Sequence, residues 1–123
     1  MAKRILVADD DKEIREIISF VLDRHGFVVE AASNGQQFRQ MLASCLPDLI
    51  ILDIMMPGID GYQLCAELRS DPQTHDIPII MMTAHAEGIY QRISKDLGVE
   101  EHMTKPFHPL ELAEKVAALL EGT

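Results

Sequence analysis

Short apolar runs alternate with longer segments of helical period along nearly all of this 123-residue chain. The runs span residues 5–8, 27–32, 49–52 and 77–82. Because both faces of these runs are mostly apolar, they are typical of strands that are covered on two sides. The alternation predicts a doubly wound α/β fold, with a parallel sheet, right-handed crossovers and helices on both faces.

The segments between the runs carry the start and stop signals of helices. The first segment places five apolar residues on one helical stripe, namely Ile14, Ile17, Ile18, Val21 and Leu22. Gly26 follows it as a stop signal, and Asn34 and Asp60 are good N-caps for the next two helices. A weaker fourth helix precedes a short polar stretch at 101–104, which we predict as the fifth strand. Pro109 begins the last helix.

Length and charge exclude several classes of protein. The length fits one globular domain over residues 1–123. The chain has 20 acidic residues against 11 Lys and Arg, a net charge of −9, and this repels phosphate backbones. No apolar run approaches the ~20 residues of a membrane helix, and the first run is too short for a secretory signal. We therefore expect a cytoplasmic protein that binds neither nucleic acid nor membranes directly.

The two cysteines belong to no cluster with metal-ligand spacing. Cys45 continues the apolar stripe of the second predicted helix, and Cys65 continues that of the third. We predict both as small buried side chains rather than reactive groups. The lack of an evident disulfide agrees with a reducing compartment.

Acidic residues follow the first and third predicted strands. Asp9 and Asp10 come directly after the first apolar run, and Asp53 comes directly after the third. Ligands of doubly wound sheets bind beyond the carboxyl ends of the strands, so these carboxylates converge if the two strands are neighbours. A divalent cation relieves the repulsion among them, and oxygen ligands without His or Cys favour Mg²⁺ or Mn²⁺. Helix capping alone explains Asp11 but does not explain Asp53.

A hydroxyl and an ammonium are expected at the same edge of the sheet. Thr83 ends the fourth predicted strand, and Lys105 follows the fifth. A metal beside these groups suits a dianionic, oxygen-rich group such as phosphoryl, whose transfer depends on positioning and charge neutralisation. A carboxylate can serve as the nucleophile and hold an aspartyl-phosphate. Because no strong general base stands in a readable motif, we expect the site to receive and hold a phosphoryl group.

Four segments together resemble the receiver domain of two-component response regulators. They read ILVADDD at residues 5–11, DIMMPGIDG at 53–61, IIMMTA at 79–84 and MTKPF at 103–107. The resemblance extends from Lys3 to the last helix. It implies a flavodoxin-like, five-stranded parallel sheet with the strand order 2-1-3-4-5.

The resemblance also implies roles for individual residues. Asp53 would accept a phosphoryl group from a histidine kinase or a histidine phosphotransfer protein. The ligands of Mg²⁺, or of Mn²⁺, would be Asp9, Asp10, Asp53 and the main-chain carbonyl of Met55. Thr83 and Lys105 would each bind a phosphoryl oxygen. Phosphoryl acceptance would be self-catalysed and followed by slow autodephosphorylation, so the chain would not be an enzyme in the usual sense.

Phosphorylation would change one surface of such a domain. The added charge, about −1.5 to −2 at pH 7, would draw Thr83 inward and bias a two-state equilibrium. The fourth helix, fifth strand and fifth helix would form the surface that binds a downstream protein. Ala84 would leave room beside the phosphoryl group, and the Lys105–Pro106 peptide would be cis. The predicted contact residues on the fourth helix are Tyr90, Arg92 and Lys95.

Three positions are variable or unusual against the family pattern. His102 stands three residues before Lys105, where an aromatic switch residue is usual. Because histidine titrates near neutral pH, we hypothesise an altered, pH-sensitive coupling between site and surface; the alternative is an imidazole that merely fills the same groove. Met55 and His85 occupy two positions that modulate phosphoryl lifetime. An apolar Met55 would restrict water and His85 would position it, so the sequence does not predict how long the phosphoryl group persists.

Three other functions fit parts of the pattern. A hydrolase of the haloacid dehalogenase type has an aspartate nucleophile, but residues 9–12 lack the Gly and Thr of its motif, and no residues are left for a cap module. A flavodoxin-like electron carrier would have a phosphate loop rich in Ser, Thr and Gly. A receiver that signals without phosphorylation would not need the complete set of site residues. The cognate kinase, the target, the oligomeric state and whether the chain is part of a longer protein stay open.

Overall fold

A computed structural model describes residues 2–84 and 88–121, in which strands and helices alternate. Within these residues the strands are β1 (Arg4–Ala8), β2 (Val28–Ala32), β3 (Leu49–Asp53), β4 (Ile79–Thr83) and β5 (Glu101–Thr104). The helices are α1 (Lys12–Arg24), α2 (Gly35–Ser44), α3 (Gly61–Ser70), α4 (Gly88–Asp96) and α5 (Pro109–Glu121). Strand β4 begins two residues later than predicted, because Pro78 has no N–H to donate to a ladder.

The strands form one parallel sheet in the order β2-β1-β3-β4-β5. Strands β3 and β4 are buried along their whole length, whereas β2 and β5 lie at the two edges and are partly exposed. The predicted doubly wound sheet and its order are confirmed, including the short fifth strand. Three of the four residues of that strand are polar, which an edge position tolerates.

Helices cover both faces of the sheet and enclose two apolar clusters. Helices α1 and α5 pack on one face through side chains such as Ile18 and Leu112. Helices α2 and α3 pack on the other face through side chains such as Phe38 and Leu68. Along α4 the one residue that is buried is a polar one, Ser94. Among the described residues, no helix is both long enough and apolar enough to cross a membrane.

Side chains cap three helices at residues that the sequence identifies. Asp11 accepts from the second and third N–H groups after it, and Asn34 and Asp60 each accept from the third N–H group after themselves. These bonds satisfy main-chain donors that have no partner within a helix. Each cap therefore fixes the point at which a loop on the carboxyl side of the sheet becomes a helix.

Cys45 is exposed, which corrects the prediction that both cysteines are buried; Cys65 is buried as predicted. Helix α2 ends at Ser44, and Cys45 itself has an extended backbone with φ −160° and ψ 125°. The helical stripe therefore no longer directs the Cys45 side chain toward the core.

Candidate functional site

The carboxyl ends of four strands bring the predicted site residues to one edge of the sheet. Asp9 directly follows β1 and Asp53 is the last residue of β3, and these strands are neighbours where the strand order reverses. Thr83 ends β4 and is buried, and Lys105 directly follows β5. The main-chain N–H of Lys105 donates to the Thr83 carbonyl oxygen at 2.6 Å, which extends the β4–β5 ladder toward the site.

Asp9, Asp10 and Asp53 form a compact acidic cluster. One carboxylate oxygen from each residue lies within 4.8 Å of those from the other two. Asp9 and Asp53 are 1% and 4% exposed, whereas Asp10 is exposed to solvent. Main-chain N–H groups orient the two buried carboxylates, since Asp11 donates to Asp9 Oδ1 at 2.9 Å and Met55 donates to Asp53 Oδ1 at 3.2 Å. The three carboxylates assigned to one pocket from the sequence are thus brought together.

The Lys105 ammonium lies between the two buried carboxylates. Its Nζ is 2.7 Å from Asp9 Oδ2 and 3.4 Å from Asp53 Oδ2. Burial by itself would lower the pKa of Lys105, but the hydrogen bond to Asp9 and the charges of Asp53 and Asp9 together raise it. The ammonium therefore stays charged at neutral pH and offsets part of the acidic cluster.

The Asp53 carboxyl group titrates far from its ordinary range. Burial and then the charge of Asp9 raise its pKa to about 7, against the opposing effects of Lys105 and the Met55 N–H. A perturbed carboxyl group beside a cation, at the carboxyl edge of an α/β sheet, is the pattern expected of a functional site. The protonation of Asp53 near neutral pH therefore depends on which charged group or ion lies beside its carboxylate.

The donor set of the cluster fits a hard divalent cation. The cluster offers three carboxylates against one ammonium, so negative charge is in excess when the carboxylates are ionised. Oxygen donors without nitrogen or sulfur ligands favour Mg²⁺ or Mn²⁺, which bind through one or two carboxylates and retain water. The cluster therefore has the composition of a Mg²⁺ site.

Sequence reasoning missed two residues that support this edge. A Cβ atom added to Gly61 would overlap the Asp53 carbonyl oxygen, so α3 begins against the strand end only because residue 61 is glycine. The sequence identifies Asp60 as a cap and Gly61 only as part of the segment at residues 53–61 that resembles receivers, without indicating this close approach. Arg15 donates to the Asp9 carbonyl oxygen from one turn into α1. Its position six residues after Asp9 carries no signal for this contact.

Comparison with known sequences decides the family. The family model described as the response regulator receiver domain matches residues 5–117. This chain belongs to that family. Receiver domains of two-component systems are thus the class to which its flavodoxin-like fold and acidic site belong.

The curated relatives of this receiver are longer proteins. The transcriptional regulatory protein GltR of Pseudomonas aeruginosa is 42% identical over 118 residues, which are 96% of this chain and 49% of GltR. The receiver spans about half the length of the curated relatives it matches.

Two solved structures share the whole fold. A putative response regulator from Chloroflexus aurantiacus superposes with a TM-score of 0.93 and 35% identity, covering 98% of this chain and 99% of that one. The chemotaxis response regulator CheY4 of Vibrio cholerae has a TM-score of 0.90 and 28% identity, covering 98% and 100%.

His102 lies on β5 of this receiver and contacts α4. Its Nδ1 is 3.0 Å from Oγ of Ser94, and burial lowers the pKa of the imidazole. Its Nε2 is buried and has no hydrogen-bond partner within residues 2–84 and 88–121. An imidazole whose lowered pKa favours its neutral form is thus bonded to α4. The switch role of His102 and its pH-sensitive coupling stay predictions.

Two of the remaining predicted positions, Met55 and Ala84, closely follow the ends of β3 and β4. Met55 is 45% exposed on the loop after β3, and Ala84 is exposed directly after β4. The Lys105–Pro106 peptide is cis, as predicted. His85 lies outside the described residues.

Proposed function

We propose that this receiver accepts a phosphoryl group on Asp53 and thereby changes the surface that it presents to a downstream protein. The observation that carries the proposal is the position of Asp53: a buried carboxylate within reach of two other carboxylates and 3.4 Å from the Lys105 ammonium. No ordinary structural requirement gathers three carboxylates, two of which share one ammonium, at the carboxyl edge of a sheet. A site that must balance a phosphoryl group and its counter-ions does require it.

In the proposed reaction an Asp53 carboxylate oxygen attacks the phosphorus of a phosphohistidine on the partner protein. The new P–O bond forms as the P–N bond breaks, and the leaving imidazole nitrogen keeps the electron pair and takes a proton from water. Lys105 holds a positive charge beside the nucleophile, and Thr83 ends the adjacent strand with a hydroxyl that can donate to the same group. A Mg²⁺ or Mn²⁺ ion held by Asp9, Asp10, Asp53 and the Met55 carbonyl would supply charge that offsets the phosphoryl oxygens.

The phosphoryl group is expected to persist and then to be lost slowly. Asp53 takes part in forming the acyl phosphate, and among the residues of the site that the structure describes we assign no further strong general base. Acceptance and slow autodephosphorylation are therefore the proposed chemistry, rather than catalytic turnover of a free substrate.

Partners follow from this chemistry. Upstream, the donor would be a histidine kinase or a histidine phosphotransfer protein in the cytoplasm. Downstream, the surface formed by α4, β5 and α5 would bind a protein, with Tyr90, Arg92 and Lys95 as contact residues on α4. The names of relatives such as GltR describe transcriptional regulation, which we would assign to output through a further domain or a separate protein. The net charge of −9 makes direct nucleic-acid binding by residues 1–123 unfavourable.

The proposal is tested by incubating the protein with acetyl phosphate and Mg²⁺ and measuring its intact mass. Wild type should gain one phosphoryl group, and Asp53→Asn should gain none. Asp76→Asn is the matched control, since it makes the same chemical change on a side chain that is 92% exposed. Labelling of Asp53→Asn equal to wild type, or sustained hydrolysis of a phosphate ester, would overturn the proposal.

A further inference from the structure

Arg15 reaches from α1 to the main chain at the end of β1. Its guanidinium Nη1 donates to the Asp9 carbonyl oxygen at 2.9 Å, and the side chain is partly buried. This carbonyl lies beyond the last paired residue of β1, where the strand ladder no longer supplies a donor. An arginine therefore satisfies an acceptor that would otherwise need water.

With this contact, Asp9 is held at both main-chain polar atoms and at both carboxylate oxygens. Its N–H donates to the Ala32 carbonyl oxygen at 3.1 Å. Its Oδ1 accepts from the Asp11 N–H at 2.9 Å, and its Oδ2 lies 2.7 Å from the Lys105 ammonium. The fourth atom, the main-chain carbonyl oxygen, accepts from Arg15.

The same contact fixes the residue that follows. The Asp9 carbonyl and the Asp10 N–H belong to one planar peptide group, so a bond that holds the oxygen also sets the orientation of the plane. Asp10 is exposed, in contrast to the two buried carboxylates of the cluster. The placement of its side chain therefore depends on the main chain from which it projects.

We propose that Arg15 is a positioning residue for divalent-cation binding: by fixing the Asp9–Asp10 peptide, it presents the Asp10 carboxylate to a cation held with Asp53. This inference rests on the proposed function, because it concerns the same acidic cluster. Contacts that hold ligand residues in place commonly contribute 10- to 100-fold to metal affinity.

A positioning role and a simple charge effect have opposite consequences. Arg15 is a cation near an anionic site, so loss of its charge alone should tighten the binding of Mg²⁺. Loss of the bond to the Asp9 carbonyl should weaken the binding, because the Asp10 carboxylate must then be ordered by the cation itself. Whether Mg²⁺ affinity rises or falls when Arg15 is replaced therefore distinguishes the charge effect from the positioning role.

The experiment is a Mg²⁺ titration of the 123-residue protein, followed by the amide NMR shifts of residues 9–11. Arg15→Met should bind Mg²⁺ roughly tenfold more weakly than wild type. Arg15→Lys, which keeps the charge and a donor, should recover part of the loss. Two controls remove one charge from the same helix: Lys12→Met, where the side chain is 81% exposed, and Arg24→Met, where the guanidinium lies over the Phe20 ring. Both should bind Mg²⁺ as tightly as wild type or slightly more tightly.

Binding by Arg15→Met that equals or exceeds that of wild type would overturn the inference and leave the proposed function intact. Failure of wild type to bind Mg²⁺ would overturn both. If Arg15→Met does not fold, as judged by thermal melting in EDTA, Arg15→Lys decides: weaker binding with the charge retained supports positioning, and unchanged binding contradicts it.

Discussion

The Lys105 ammonium lies 3.4 Å from Asp53 Oδ2 and joins the ends of two strands, β5 and β3, that β4 separates. The two side chains are 15% and 5% exposed, so water screens the pair only weakly. Asp9 shares the same ammonium at 2.7 Å. Removal of Lys105 would therefore leave two buried carboxylates without their common counter-ion.

Lys105→Met should destabilise the metal-free protein at mildly alkaline pH, where the carboxylates are ionised. Loss of one partner of a buried ion pair costs about 3–5 kcal/mol, and protonation of Asp53 will reduce this, so we expect about 3 kcal/mol. Urea unfolding in EDTA measures the change. Lys115→Met is the control, because the Lys115–Glu101 pair is more exposed and should contribute about 0–1 kcal/mol. Equal losses in the two variants would contradict the prediction.

Stability should fall as pH rises through the titration range of Asp53. Burial and the charge of Asp9 raise the pKa of Asp53 to about 7 in the folded protein, whereas an unfolded Asp titrates at about 4. Between these values the folded state holds a proton that the unfolded chain has released, so an increase in pH favours unfolding. In EDTA, Asp53→Asn should therefore lose less stability than wild type between about pH 5 and about pH 8.

Mg²⁺ should reverse this loss in wild type. A cation that binds only the folded protein stabilises it by mass action, and Asp53→Asn lacks one of the proposed ligands. Urea unfolding at the higher pH, with and without Mg²⁺, should therefore show a larger gain for wild type than for Asp53→Asn. The control Asp76→Asn should behave as wild type does. A gain of the same size in wild type and Asp53→Asn would show that Mg²⁺ does not stabilise the protein by binding at the acidic cluster.

The features that the sequence predicts well are local or follow from strand order. Asp11, Asn34 and Asp60 cap their helices as expected, because a cap depends on residues within one turn. Convergence of Asp9 and Asp53 required only that two strands be neighbours. No contact between distant side chains had to be inferred.

The features that the sequence does not predict depend on details of the tertiary structure. The stripe that placed Cys45 in the core assumes that α2 continues, whereas the helix ends one residue earlier. The bond from Arg15 to the Asp9 carbonyl depends on how α1 lies across the end of β1. The need for glycine at residue 61 appears only when α3 is placed against Asp53.

Gly61→Ala should destabilise the protein and disturb Asp53. The added Cβ would overlap the Asp53 carbonyl oxygen and lie 3.0 Å from Ile54 Cα, so main chain must move. Overpacking of this kind costs about 1–3 kcal/mol, and we also expect slower labelling by acetyl phosphate. Gly88→Ala is the control, since a Cβ there meets nothing within 4 Å and stability should stay within about 0.5 kcal/mol of wild type. Thermal melting and intact mass measure the two effects, and wild-type behaviour of Gly61→Ala would refute the prediction.

His102 should make the protein less stable as pH falls below the ordinary pKa of histidine. Burial lowers the pKa of the folded imidazole, whereas an unfolded histidine titrates at about 6.5. The unfolded chain therefore binds the proton first, so the stability from this group is complete above about 6.5 and declines as pH falls through the folded pKa. Because the Asp53 effect has the opposite sign over part of this range, the measurement must compare variants rather than wild type alone.

His102→Phe keeps a ring of similar size and removes the titration, so it should lose less stability than wild type on acidification. Chemical unfolding at several pH values in EDTA tests this, with His75→Phe as the control at an exposed histidine. Parallel pH profiles for wild type and His102→Phe would show that the imidazole only fills the groove between β5 and α4.

Ser94→Ala removes the partner of His102 Nδ1, which lies 3.0 Å away, and leaves a second imidazole nitrogen without a bond. We expect that variant to loosen α4, seen as faster amide exchange in residues 89–96.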